Sequence, residues 1–235
     1  SIRLGNLKRP RKASTNPSRA RRMNMFSLLH DFTPSATLFT FGPVTIYWYG
    51  LFMAVAIAAA MYSALRLAPK YHLGQETIFD LSFWLVIGGL TGARLYEIIL
   101  MWPYYSRHPW QTVKIWEGGL AIHGAIIAGL LIVWVFSYRH KISISRLTAL
   151  LVPGLALGQA IGRWGNYFNQ ELFGSPTNLP WGIPINPINR PTEFSAHIHF
   201  HPTFLYESLG CLIISTALFL MNIRAAKNRS LERRF

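Results

Sequence analysis

The stretch VTIYWYGLFMAVAIAAAMYSAL, residues 44–65, decides the fold. It is 22 residues long and carries no charge. At about 1.5 Å of rise per residue, about 20 apolar residues cross a hydrocarbon core about 30 Å thick, so this run reads as a membrane-spanning helix. Three more stretches satisfy the same test: Thr77 to Leu100, Leu120 to Tyr138 and Thr203 to Ile223. A fifth, Leu147 to Ile161, is short, which leaves a tilted span, a re-entrant segment and a buried helix open; it is read here as a span. The expected fold class is an all-α membrane protein, a polytopic helical bundle with about five transmembrane helices.

Composition agrees. Of 235 residues, 51% are apolar and 14% charged, with mean hydropathy above zero, whereas soluble domains carry about a quarter charged residues. A disulfide scaffold is excluded because Cys211 is the single cysteine. The net charge of +14 raises nucleic acid as a partner, but its distribution argues against that. Residues 1–22 hold eight basic side chains and no acid, leaving a body of fifteen basic against nine acidic groups. Residues 1–24 are expected to be a disordered basic tail outside the folded body, with Met23 or Met25 as candidate starts. Residues 25–224 are expected to form the membrane domain, and 225–235 a basic cytoplasmic tail.

Basic residues retained on the cytoplasmic side orient the bundle. Arg66 and Lys70 follow the first span, Arg139, Lys141 and Arg146 the third, and Arg224, Lys227, Arg229, Arg233 and Arg234 the fifth. The opposite flanks hold the sparser set Arg107, Lys114, Arg163 and Arg190. Residues 25–43 are therefore expected outside. Segment 162–202, with six prolines, reads as a Pro/Asn-rich extracytoplasmic loop.

Polar groups at membrane depth are costly and mark function. Under this topology Tyr49, Arg94, His123, Arg163, Asn166, Tyr206 and Glu207 come from five segments to one leaflet. Each also has a structural reading: Arg94 and Glu97 neutralising each other three residues apart, His123 satisfied at a helix interface, Tyr49 as an aromatic anchor, Glu207 paired with a structural arginine. A channel or transporter is the competing class, and its polar groups belong throughout the bilayer depth. Gly154, Gly158 and Gly162 recur every four residues and are expected to form one small-residue packing face. No metal-ligand spacing is found, so neither a metal nor a cofactor is expected.

The most specific run is GRWGNYFNQELFG, residues 162–174. Together with WYGL (48–51), GARL (92–95), WEGGLAIHG (116–124), LPWG (179–182) and HPTFLYE (201–207), it resembles the prolipoprotein diacylglyceryl transferases, in that family's motif order over residues 44 to about 225. The resemblance implies transfer of a diacylglyceryl group from phosphatidylglycerol to the lipobox cysteine of a prolipoprotein, with glycerol phosphate released. It implies the lipid bilayer, phosphatidylglycerol and the lipobox peptide as partners. It further implies a multi-pass protein of the bacterial cytoplasmic membrane with an extracytoplasmic site. By motif, Tyr49, His123, Arg163, Asn166, Glu171 and Gly174 fall on positions used for function, and Arg94, Tyr206 and Glu207 on recurrent ones. His123, Arg163 and Tyr49 are the expected catalytic residues, with Arg163 on the phosphate, which a guanidinium matches bidentately. His123 is the expected base toward the thiol. Asn166, Glu171, Gly174, Arg94, Tyr206 and Glu207, with Arg163, are expected to bind substrate, Glu171 by orienting an arginine. Two departures are expected to matter. Ala125 stands where the family often has glycine, and the family's roughly seven spans, with a late arginine motif, lead to the expectation of a truncated sequence, with an inactive truncated member of the family as the alternative.

Overall fold

The computed structural model describes residues 29–42 and 44–232, with side chains to 225; the stretch 1–24, expected as a disordered tail, lies outside the described residues. Five helices are long and apolar enough to cross a membrane. They are α1 (Trp48–Leu67), α2 (Gln75–Leu100), α3 (Ile122–His140), α4 (Ile144–Asn169) and α5 (Thr203–Glu232).

Three boundaries differ from expectation. The first apolar run does not start as helix: Val44–Tyr47 forms strand β2, paired antiparallel with β1 (Thr37–Phe41). β-branched and aromatic residues just after the turn at Gly42, where φ is 57°, favour a hairpin, and the helix begins where Trp48 N–H meets Ala36 O at 3.0 Å. The fourth span is 26 residues rather than about 15 and absorbs the first eight residues of the expected loop. Polar residues there lower its hydropathy without breaking its helix, and Pro153 is accommodated inside it. α5 likewise runs through most of the segment read as a cytoplasmic tail.

The helices pack as a trio and a pair. α1 and α5 both lie along α4, while α2 and α3 form a hairpin of their own. Small residues set the contacts. A Cβ on Gly154 would sit 2.7 Å from Ala60 O, and one on Gly92 2.7 Å from Gly124 O. Between α5 and α4, buried Ser208 donates to Ala160 O at 2.7 Å and buried Ser215 to Pro153 O at 2.8 Å. Ser215 thus reaches a carbonyl inside a helix that already carries a proline.

Two apolar clusters join the pair to the trio. Ile78 packs with Ala64, Leu67, Ala68, Tyr71 and Leu150, while Leu81 and Phe136 pack with Leu147. These residues lie in the first turns of α2 and α4, the last turns of α1 and α3, and the 3-10 turn Ala68–Tyr71 that follows α1. The other end is closed by a third cluster, in which Tyr167 and Phe204 of the trio pack against Ile183, Ile185 and Phe200 of the loop. In that loop, strands β3 (Ile183–Pro184) and β4 (His199–Phe200) pair antiparallel. Large side chains such as Phe83, Ile126, Leu130 and Ile213 are exposed around the bundle, as a lipid-facing surface requires.

The small-residue face is confined to Gly154 and Gly158. Gly158 faces Ala56, whereas a Cβ on Gly162 would meet nothing within 4 Å. Overpacking costs about 1–3 kcal/mol, so Gly154→Val is expected to lower the unfolding temperature in detergent by several degrees. Gly162→Val is expected to leave it unchanged, as a thermal unfolding comparison will show.

Candidate active site

Five helix ends converge on one side of the bundle: the starts of α1, α3 and α5 and the ends of α2 and α4. The candidate residues lie there in two groups.

The first group is built on the last turns of α4. Helical spacing places Arg163 and Asn166 on one face. Arg163 Nη2 forms an ion pair with Glu207 Oε2 in the first turns of α5, and its Nη1 approaches Asn166 Oδ1 at 3.5 Å. Asn166 is buried and donates from Nδ2 to Glu171 Oε1 at 2.7 Å, while Asn169 adds a longer bond of 3.4 Å. Glu171 therefore orients Asn166, which in turn meets Arg163. Tyr49 packs its ring where a Gly165 side chain would stand, 2.7 Å from the position of a Cβ. Its hydroxyl lies in the field of both Glu171 and Arg163. Trp48 stacks on Phe168 with ring centroids 4.5 Å apart, holding the end of α4 to the start of α1.

The turn after α4 is held by a residue that sequence reasoning missed. Gln170 caps the helix in the left-handed region, with φ of 53°. Its buried side chain donates to Pro34 O at 2.6 Å and accepts from Asn186 N–H at 2.7 Å. Gly174 N–H donates to His201 O at 2.9 Å, and a Cβ on Gly174 would stand 2.9 Å from His201 Cβ. Gly174 is needed for close approach. Tyr206 Oη is bonded by Trp181 Nε1 at 2.8 Å and His201 Nδ1 at 3.1 Å. Trp181 and His201 stand inside the quoted runs LPWG and HPTFLYE, which was the available signal.

The second group lies on the α2–α3 hairpin. Arg94 is 7% exposed and does not pair with Glu97. Its guanidinium donates to the carbonyls of Thr112 (3.0 Å), Gly118 (2.7 Å), Gly119 (2.8 Å) and Gln111, and it lies over the Tyr105 ring. An arginine with its donors spent on carbonyls clamps a loop, and Gly118 and Gly119, both at positive φ, lead directly to His123. His123 is exposed and lies 6.0 Å from the Tyr96 ring, centroid to centroid. Among the described residues no hydrogen bond, ion pair or ring contact joins His123 to Arg163.

These motifs can now be set beside known proteins. The family model described as prolipoprotein diacylglyceryl transferase matches residues 36–234. A phosphatidylglycerol–prolipoprotein diacylglyceryl transferase of Acaryochloris marina is 45% identical over 195 residues, covering 83% of this chain and 71% of the relative. Proteins of the same name from Trichormus variabilis and Synechococcus elongatus are 43% and 44% identical, covering 82% and 84% of this chain and 68% of each relative.

The chain belongs to the prolipoprotein diacylglyceryl transferase family. As a member of that family it is a multi-pass membrane protein, and its candidate site gathers a guanidinium, a carboxamide, two carboxylates and a phenol at one helix-end layer. Such a set can neutralise a phosphate and hydrogen-bond its ester oxygens.

The layer is capped by a histidine pair. His30 stacks on His199 with centroids 3.9 Å apart, and its Nδ1–H donates to Gly182 O at 2.8 Å. Burial first, then the neighbouring His30, pushes the His199 imidazole below its usual 6.5, and Arg190 acts in the same direction against Asp31 and the His30 backbone. Because the folded value lies below the unfolded one, this contribution is complete above about pH 6.5 and is lost as pH falls through the folded value. Hydrogen exchange at Ile183–Ile185, corrected for intrinsic rates, is expected to speed up on acidification to pH 5, and His199→Asn is expected to flatten that dependence.

Proposed function

We propose that this protein transfers the diacylglyceryl group of phosphatidylglycerol to the sulfhydryl of a prolipoprotein cysteine, giving a thioether and glycerol phosphate. The observation that carries the reading is the Arg163–Asn166–Glu171 relay with Glu207 closing it, set at the helix-end layer of a chain in this family. The names of the relatives, which specify phosphatidylglycerol and prolipoprotein, support both substrates. The peptide is recognised at its lipobox, and the protein resides in the bacterial cytoplasmic membrane with this layer extracytoplasmic. The sparse basic flanks of the layer, against the dense ones at the other end, support that orientation.

In this reading the thiol sulfur attacks the glyceryl carbon bonded to the phosphate ester oxygen. A sulfur–carbon bond forms, the carbon–oxygen bond breaks, and the electron pair leaves on glycerol phosphate. Arg163 stabilises the growing charge on that phosphate, exchanging part of its contact with Glu207 for the substrate. Asn166 and Tyr49 hydrogen-bond the phosphate or its glycerol, and Glu171 holds Asn166 in place. His123 takes the thiol proton. Among the described residues no hydrogen bond or ion pair joins the two groups, and in this reading the substrates bridge them: phosphate on the α4 side, thiol on the α3 side. Arg94 serves His123 by clamping Gly118 and Gly119. Gly174 leaves room for His201, and Tyr206 and Glu207 fix the start of α5 beside the phosphate.

Proteoliposomes containing phosphatidylglycerol and a lipobox peptide, followed by mass measurement of the peptide, are expected to show one diacylglyceryl adduct; a folded protein that forms none refutes the activity. In the same assay Arg163→Lys is expected to lower transfer about 10²-fold or more with abundance unchanged, since a point charge replaces a bidentate fork. His123→Asn is expected to slow transfer by about 10²-fold. Turnover equal to the parent protein in either variant removes that residue from the chemistry.

A further inference from the structure

Three consecutive residues at the start of α5 each bind a different part of the site. Tyr206 meets the loop through Trp181 and His201, Glu207 meets Arg163, and Ser208 meets the backbone of α4 at Ala160. Glu207 is the only one of the three whose partner belongs to the phosphate relay. Its carboxylate lies where α5 puts it, and the outer anchor of that turn is the Tyr206 phenol.

The hydrogen bonds of that phenol have a direction. An indole N–H only donates, so Trp181 occupies a lone pair of Tyr206 Oη. The hydroxyl proton is then free to donate to His201 Nδ1, which places the proton of a neutral His201 on Nε2. His201 is in turn fixed through its backbone. It accepts from Gly174 N–H and Thr203 N–H at 2.9 Å each and donates to Ser175 O at 3.0 Å, with its Cβ against Gly174. Trp181 lies in the turn closed by Gly182 N–H on Leu179 O at 3.0 Å. Two separate pieces of the loop thus converge on one oxygen.

We propose that His201, with Trp181 behind it, is a positioning residue for the transfer reaction: through Tyr206 it sets the first turn of α5, so that Glu207 holds the Arg163 guanidinium in register for the lipid phosphate. The inference rests on the proposed function. It predicts that the Nδ1 acceptor is what matters at position 201. An asparagine places a carbonyl oxygen near the Nδ1 position, so His201→Asn keeps the bond to Tyr206, whereas His201→Ala and Tyr206→Phe each remove it.

The test is steady-state transfer from phosphatidylglycerol vesicles to a lipobox peptide by the purified full chain, with folded amount checked by thermal unfolding. His201→Ala and Tyr206→Phe are expected to lower kcat about tenfold, with KM for phosphatidylglycerol within about twofold. His201→Asn is expected to keep at least half of the parent kcat, and the Ala/Phe double variant to lose no more than the worse single variant, as members of one unit do. A His201→Ala protein with the parent kcat overturns the inference, as does a His201→Asn protein as slow as His201→Ala, or single losses that multiply in the double variant. Transfer by the unsubstituted chain in the same vesicles separates the two readings. Its absence overturns the activity itself, whereas its presence with indifferent His201 variants overturns the positioning role alone.

Discussion

A guanidinium at a membrane boundary must be neutralised, and the outer architecture follows from how Arg163 meets that requirement. Glu207 supplies the charge from another helix, which brings the start of α5 to the end of α4, and Asn166 supplies a carbonyl oxygen from the same helix face. Glu171, one residue past the left-handed cap at Gln170, turns back to hold Asn166. The loop from Leu172 to Pro202 is then constrained at both ends, and it packs its own apolar side chains over Tyr167 and Phe204. One ion pair therefore couples helix packing, loop conformation and the chemistry of the site.

The remaining packing is governed by the solvent rather than by charge. In hydrocarbon, apolar side chains gain little by leaving lipid, so helices associate through close contact and hydrogen bonds. The glycine and alanine contacts of α1 with α4 and of α2 with α3 do this, as do Ser208 and Ser215 reaching carbonyls on α4. The large residues left on the periphery need no burial.

Much of this was legible in the sequence because bilayer thickness imposes a length that hydropathy reports directly. The number of spans, their antiparallel order and the gathering of polar groups at one end all follow from that length and from the basic flanks. What was not legible had local causes. The polar end of α4 read as loop because hydropathy falls at Arg163, Asn166 and Asn169, although helical hydrogen bonding continues. Val44–Tyr47 read as span because apolar strands and apolar helices share a composition. Arg94 and Glu97, three residues apart, suggested a pair, whereas the guanidinium reaches carbonyls some twenty positions along the chain. Gln170 and Trp181 were passed over because their partners come from distant segments, and single-sequence spacing carries no such information; His201, only five residues from Tyr206, was passed over because that spacing marks no regular element.

The placement of the apolar clusters between the two halves has a mechanical consequence. The α2–α3 hairpin is joined to the trio through Ile78, Leu81 and Phe136, near the end of the bundle opposite His123 and Arg163. A small tilt about that fulcrum becomes a larger displacement at the far tips, since a lever multiplies motion in proportion to its arm. Any tilt of the hairpin about the contacts of Leu147 and Leu150 would thus change the spacing of imidazole and guanidinium more than it changes those contacts.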